Sequence, residues 1–129
     1  MKMLPVFEEV QAENQDLFQQ ASLTQLAGRL PPSLREPLAK YLSGSYSLLA
    51  AGNVRDPMNA EKGAVVPFGY CTDGEWVWPA YWGYFVQEYG VKLPDEFIEH
   101  ARRHNFTPVA LSEEELDRVE GEFEEKFFD

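Results

Sequence analysis

Near the amino terminus, apolar residues are spaced three and four positions apart among charged ones. This spacing predicts an amphipathic helix with one face on the core, and the positions on that face are Phe7, Val10, Asn14, Leu17 and Phe18. A second short helix is expected after Ser22. A third is expected to begin at Ser33, which has capping-box spacing to Glu36, or instead at Pro37, and to end at Gly44.

The middle of the chain changes from helical spacing to short extended runs. Residues 45–52, SYSLLAAG, have the length and apolar continuity of a buried strand. After a polar loop, residues 64–72 are again extended, and Pro67 there requires a sheet edge or a bulge. The dipeptide Asp73-Gly74 predicts a hairpin between strands at 68–72 and 75–78. Alternation along the second strand places Trp76 and Trp78 on one face.

Three further helices are expected after this hairpin. Pro79 and Gly90 are residue types that begin and end helices. The next helix, within residues 93–106, has acidic residues in its first turn and basic residues in its last, as the helix dipole favours. The last helix begins at Ser112, with Glu115 as its capping partner. Its apolar stripe is Leu116, Val119, Phe123 and Phe127.

The order of these elements, helices followed by strands and again by helices, predicts an α+β fold. We expect one globular domain over residues 1–129, with a small antiparallel sheet that contains a central hairpin and is flanked by N-terminal and C-terminal helices. The composition agrees with a single domain, because a chain of 129 residues that is 44% hydrophobic and 14% aromatic can form one core.

Several features favour a cytoplasmic protein. No run approaches the roughly 20 apolar residues of a membrane-spanning helix, and Glu8 and Glu9 interrupt the amino-terminal segment where a secretory signal would be apolar. The single cysteine, Cys71, lies in a predicted strand, so we interpret it as a small buried hydrophobe rather than a reactive thiol.

The charge of the chain is strongly negative and unevenly distributed. The net charge is −11, which disfavours nucleic acid and anionic membranes as partners. Residues 113–129 contain nine acidic residues against Arg118 and Lys126, a local balance of −7. The acidic side of the final helix is therefore a candidate protein-binding face, although such a face also serves only to keep a protein soluble in many cases. The acidic positions assigned to it are Glu113, Glu114, Asp117, Glu120 and Glu124.

His100 and His104 are four residues apart, with Glu96 one turn earlier, so the three can share a helix face as metal ligands. Ala101 stands where a zinc-protease helix would carry its general-base glutamate. We therefore favour helix-end histidines that complement the dipole, expect no cofactor, and keep His100, His104 and Glu96 as the alternative metal set.

Other catalytic signals are weak, and the aromatic residues are more informative. Asp56, Asp73 and Glu75 lie at or near loops and are possible acid–base groups, but an acidic chain produces such pairs by chance. The aromatic residues near the hairpin are expected mostly in the core, with a minority on a binding surface. The three assigned to binding are Trp76, Trp78 and Tyr81.

Residues 56–106 also carry a resemblance to known proteins. An Asp-Pro pair in a loop, then TDGEWVWP, then YFVQEYGVKLPDEFIEHARRHNF is similar to a loosely defined group of small bacterial proteins. Some members of that group resemble immunity proteins, which are encoded beside toxins that act on neighbouring cells. The resemblance implies a protein that binds and blocks one toxin in the cytoplasm, and it brings no catalytic residues.

The function expected from these observations is that of a non-enzymatic, acidic protein-binding module, and the resemblance implies an immunity-type inhibitor of a basic bacterial toxin. Two alternatives remain open. One is a small-ligand-binding domain with an aromatic pocket beside the hairpin, and the other is a metal-dependent or carboxylate-dependent enzyme. A homo-oligomer is compatible with all three.

Overall fold

The computed structural model describes residues 2–10 and 18–128 and has an α+β fold, as the sequence predicts. Its helices are α1 (Leu23–Leu26), α2 (Pro32–Gly44), α3 (Tyr81–Tyr89), α4 (Asp95–Arg103) and α5 (Glu113–Phe128). Its strands are β1 (Lys2–Met3), β2 (Val6–Phe7), β3 (Gln20–Ala21), β4 (Tyr46–Val54), β5 (Val66–Thr72) and β6 (Trp76–Pro79).

The main sheet has four strands in the order β1-β6-β5-β4. The pairs β4–β5 and β5–β6 are antiparallel, as predicted, but β1 pairs in parallel with β6, so the sheet is mixed. A second, two-stranded parallel sheet joins β2 to β3. Pro67 lies where β5 pairs with β4 alone and next to a shift in their register, which agrees with the predicted edge or bulge.

The predicted amino-terminal helix is wrong at Phe7, which lies in strand β2. The backbone of this segment bonds to distant residues rather than to its own next turn: the amide of Val6 donates to the Gln19 carbonyl at 2.9 Å, and the amide of Phe7 donates to the Tyr81 hydroxyl at 2.9 Å. Local spacing carries no signal for such partners. The predicted positions Asn14 and Leu17 lie outside the described residues.

The two following helices begin differently from one another. Helix α1 is capped by Ser22, as predicted. The carboxylate of Glu9 also accepts hydrogen bonds from the backbone amides at the start of α1. Burial opposes the ionisation of Glu9, but these hydrogen bonds outweigh burial and lower its pKa.

Helix α2 begins at Pro32, earlier than Ser33 or Pro37, because a proline in the first turn loses no helical hydrogen bond. Pro37 lies inside α2, and Gly44 ends it as predicted.

The hairpin forms with Gly74 at a φ of 99°, the left-handed backbone that the sequence predicts there. The register pairs Thr72 with Val77, and the amide of Asp73 donates to the Trp76 carbonyl, so the two-residue loop is Gly74-Glu75 and lies one position later than predicted. This shift frees the Asp73 side chain to turn back over the loop.

The helices after the hairpin agree with prediction except at one start. Pro79 is the last residue of β6, and α3 begins two residues later, because Pro79 remains paired with Tyr70. Gly90 caps α3 in the left-handed conformation, as predicted. Ser112 and Glu115 form the predicted capping box before α5: the Glu115 amide donates to the Ser112 hydroxyl at 3.2 Å, and the Ser112 amide donates to the Glu115 carboxylate at 3.4 Å.

The sheet separates two apolar layers. Trp76 and Trp78 point to the side of α2, α3 and α4, where the larger core lies. Val77 points to the other side and packs with Val119 and Phe123 of α5. The alternation predicted for this strand is therefore confirmed. The predicted stripe position Phe127 lies outside the side chains that the structure describes.

Strand β4 is the element whose environment differs most from prediction. It was expected to be buried, but it is the edge strand of the main sheet, and seven of its nine residues are exposed. Tyr46 and Leu49 are exposed large hydrophobic side chains, at 41% and 42% of their full exposure. An apolar run of this length does not distinguish a central strand from an edge strand, because which neighbours cover it depends on distant parts of the chain.

Gly69 allows β4 and β5 to approach closely. Its φ is 135°, and a Cβ atom there would lie 2.0 Å from the carbonyl oxygen of Leu49. We expect Gly69→Ala to lower the free energy of unfolding by at least about 2 kcal/mol, since backbone strain and the clash with main-chain atoms both oppose it. Urea unfolding followed by circular dichroism measures this change.

The matched control is Gly121→Ala in α5, where a Cβ atom meets nothing within 4 Å. There alanine should stabilise the helix by about 1 kcal/mol, because it removes the entropy penalty of glycine. Equal unfolding curves for Gly69→Ala and the unmodified protein would contradict this close approach of β4 and β5.

Candidate functional site

A buried polar cluster joins three elements beneath the hairpin turn. Tyr41 from α2 and His100 from α4 both reach Asp73 at the end of β5. The Tyr41 hydroxyl donates to Asp73 Oδ2 at 2.5 Å, and His100 Nε2 lies 2.5 Å from the same oxygen. The side chain of Asp73 is fully buried and that of His100 is 3% exposed. Polar side chains this deeply buried need hydrogen-bond partners, and here each has one.

The other carboxylate oxygen of Asp73 holds the hairpin turn. Oδ1 accepts from the amides of Glu75 at 3.0 Å and Trp76 at 2.8 Å. Asp73 thus accepts four hydrogen bonds, two from the turn and two from helices. Burial, followed by the hydrogen bond to Asp73, raises the pKa of Tyr41 well above its usual range. Tyr41 therefore acts here as a hydrogen-bond donor and not as an ionised phenolate.

Two further side chains extend this cluster toward solvent. Glu75 Oε2 lies 3.6 Å from His100 Nδ1, and the Glu75 side chain is 71% exposed. The ring of His104, half-buried at the end of α4, lies 4.9 Å from that of His100 and stacks on Tyr41. Possible ligand atoms of Glu75, His100 and His104 all lie within 4.8 Å of one another.

The alternative metal set taken from the sequence is thus wrong in one member. Glu96 is in the first turn of α4, but it forms an exposed ion pair with Lys2 and does not join the histidines. Glu75 takes its place. Helical spacing finds only ligands on the same helix, whereas Glu75 is brought to α4 by the hairpin.

Asp56 is the centre of a second set of hydrogen bonds. It is 2% exposed; its Oδ2 accepts from the Tyr84 and Tyr89 hydroxyls at 2.7 Å and 2.6 Å, and its Oδ1 accepts from the amides of Met58 and Asn59. Burial opposes ionisation of this carboxylate, but the four hydrogen bonds outweigh burial and lower its pKa. Asp56 therefore fastens its loop to α3.

The aromatic residues assigned to binding lie in the core. Trp76 is 5% exposed, Trp78 is fully buried and Tyr81 is 3% exposed. Their polar atoms find partners inside the protein; the Trp78 indole donates to the Leu42 carbonyl, and the Tyr81 hydroxyl accepts from the Phe7 amide. A partner therefore does not reach these three side chains in this conformation.

The acidic residues assigned to binding are accessible on α5. Glu113, Glu114, Asp117 and Glu124 are exposed, and Glu120 is half-buried. Glu120 lies against the edge strand, where it accepts a hydrogen bond of 3.4 Å from the Tyr46 hydroxyl. A groove of about 290 Å³ runs between α5 and β4, lined by Leu48, Leu49, Glu120, Phe123 and Glu124. The structure therefore places part of the acidic face beside an exposed strand.

Sequence reasoning missed two features of these sites. Asp73 was interpreted as a turn residue and a possible acid–base group, and no sequence signal indicated that its side chain is buried among donors from two helices. Tyr41 gave no signal, because its partner lies 32 residues away. The free thiol of Cys71 agrees with its interpretation as a buried hydrophobe, since it is 8% exposed and burial raises its pKa to about 11.

We find no protein-family model that matches this chain, and no significant match among curated proteins or among solved structures. Among the described residues, no helix has both the length and the apolar character needed to cross a membrane.

The Asp56 contacts predict a specific dependence of stability on pH. Because the pKa of Asp56 in the folded protein is below its ordinary value of 3.8, its ionised form stabilises the fold above that value, and this contribution is lost as the pH falls through the folded-state pKa. We expect Asp56→Asn to reduce stability at pH 7 by about 1 to 3 kcal/mol. The difference from the unmodified protein should shrink below about pH 4.

Urea unfolding at several pH values tests this expectation. Asp117→Asn is the matched control, since Asp117 is exposed on α5 and its loss should leave stability within about 0.5 kcal/mol at every pH. A deficit for Asp56→Asn that persists unchanged at pH 3 would show that the ionised carboxylate is not the stabilising species.

Proposed function

We propose that this protein is a non-enzymatic binding module that captures a basic protein in the cytoplasm through the surface formed by β4 and α5. One observation carries the proposal: the exposed edge strand lies directly beside the most acidic segment of the chain, with Glu120 and Glu124 lining the groove between them. A partner on this surface can therefore form main-chain hydrogen bonds, apolar contacts and ion pairs in one place.

The edge strand supports this proposal through its length and composition. Proteins blunt an exposed edge with lysine, proline, bulges or short length; β4 has two shifts in its register with β5, but it has nine residues, YSLLAAGNV, with no charged residue and no proline. Within the described parts of the chain, no strand pairs with its outer side. An edge of this kind is suited to accept a strand from another protein, and the exposed Tyr46 and Leu49 offer apolar contacts to it.

The charge of α5 supports a basic partner. Residues 113–129 have a net charge of −7, so this segment attracts cationic proteins during diffusional encounter. An immunity-type inhibitor that blocks a basic toxin is the specific role that this surface and the resemblance of residues 56–106 favour together. The gene adjacent to the one encoding this protein therefore supplies the partner to test first.

The first experiment measures the association of that adjacent gene product with this protein at several salt concentrations. We expect the double variant Glu120→Lys/Glu124→Lys to slow association by about tenfold at low salt, because both charges line the groove. The effect should decrease at high salt, since exposed charges are screened within about 3 Å at 1 M. Circular dichroism verifies that the variant is folded.

Glu36→Lys/Glu99→Lys is the matched control, because Glu36 of α2 and Glu99 of α4 are exposed acidic residues outside the groove, and the double variant changes the net charge by the same amount. It changes the net charge in the same direction at another surface, so a general charge effect would appear in both variants. If the groove variant associates as fast as the control at low salt, the acidic face of α5 is not the binding surface.

A second variant tests the strand. Leu49→Lys places a cation on the exposed edge, where it opposes both a basic partner and the approach of another strand. We expect faster dissociation of the complex, in contrast to the slower association caused by the α5 charges. An unchanged dissociation rate would exclude β4 from the interface and leave α5 to account for binding alone.

A further inference from the structure

We infer that Glu75, His100 and His104 form a binding site for one Zn²⁺ ion. Two imidazole nitrogens and one carboxylate oxygen form a donor set typical of zinc sites with an open fourth position. The three residues come from the hairpin loop and from α4, and their ligand atoms all lie within 4.8 Å of one another. This inference replaces the expectation, drawn from the sequence, that the histidines only complement the helix dipole.

The buried hydrogen bond of His100 prepares that residue for a metal. A carboxylate oxygen accepts hydrogen bonds, so the contact of 2.5 Å between Asp73 Oδ2 and His100 Nε2 places the ring proton on Nε2. The Nδ1 lone pair then points away from Asp73, toward Glu75. Metal-binding histidines are commonly oriented in this way by a carboxylate behind the ring.

The distance between the donor atoms fits a tetrahedral ion. Bonds of about 2.1 Å to a tetrahedral zinc ion place two ligand atoms about 3.4 Å apart, and His100 Nδ1 and Glu75 Oε2 are 3.6 Å apart. His104 follows His100 by one turn, so both rings lie on one side of the end of α4. The full set spans up to 4.8 Å, so the exposed Glu75 and half-buried His104 side chains must move closer to reach this spacing when the ion binds.

The cations near Glu75 are engaged elsewhere. Lys2 pairs with Glu96, and Arg118 donates to the Gly74 carbonyl and to Glu122. The Glu75 carboxylate itself faces His100, with 3.6 Å between Oε2 and Nδ1. Glu75 is therefore a carboxylate whose charge faces two histidines and water, which leaves it available to a divalent cation.

The fold does not require this ion. Among the described residues, every buried side-chain nitrogen or oxygen atom has a hydrogen-bond partner. We therefore expect a folded protein without metal and a more stable one with it, because a ligand that binds only the folded state shifts the unfolding equilibrium.

Titration of the tag-free protein with Co²⁺ and then Zn²⁺ tests the site. We expect one Co²⁺ per chain, with the intense visible absorption of a tetrahedral site, and displacement by one equivalent of Zn²⁺. Glu75→Gln and His104→Ala should each weaken Zn²⁺ binding by at least about tenfold. Both side chains are outside the core, so both variants should fold, whereas His100→Ala would remove one of the four donors to the buried Asp73 and leave a cavity at a buried side chain.

Glu99→Gln is the matched control, because it removes an exposed carboxylate of the same helix that pairs with Arg102, and it leaves the Lys2–Glu96 pair intact. It should bind Zn²⁺ as the unmodified protein does. Weakened binding in Glu99→Gln with normal binding in Glu75→Gln would overturn the assignment, and so would the absence of a one-to-one complex at about 1 mM Zn²⁺, since a site with a Kd below about 1 mM would then be at least half occupied.

Discussion

The buried carboxylate of Asp73 joins the hairpin to two helices by hydrogen bonds. Its carboxylate lies at the end of β5 and accepts from the turn amides, from Tyr41 of α2 and from His100 of α4. A buried carboxylate with fewer donors would strongly destabilise the fold, since an unpaired charge in the core costs several kcal/mol. With four donors, this one side chain ties α2 and α4 to the hairpin and adds to the apolar packing between the helices and the sheet.

The sequence predicted features that arise from neighbouring residues. The hairpin with Gly74 at positive φ, the Gly90 cap and the Ser112–Glu115 capping box follow from short-range geometry, and the structure has all three. The alternation of Trp76 and Val77 between two layers was also predictable, because a strand has a period of two.

Features that depend on distant partners were not predictable in this way. Phe7 lies in a strand because Tyr81 and β3 supply its contacts, and β4 is an edge because no further strand covers it within the described residues. The candidate metal site shows the same limit. Helix spacing brought His100 and His104 together, but the third member, Glu75, depends on how the hairpin meets α4.

The position of β4 also has a consequence for the protein at high concentration. Two copies have identical uncovered edges, so they are able to pair strand to strand. Each copy, however, brings α5 beside its edge, and like charges of this density repel at low ionic strength. The repulsion between two acidic helices therefore opposes self-association. Its energy depends on the salt concentration rather than on any contact within one molecule.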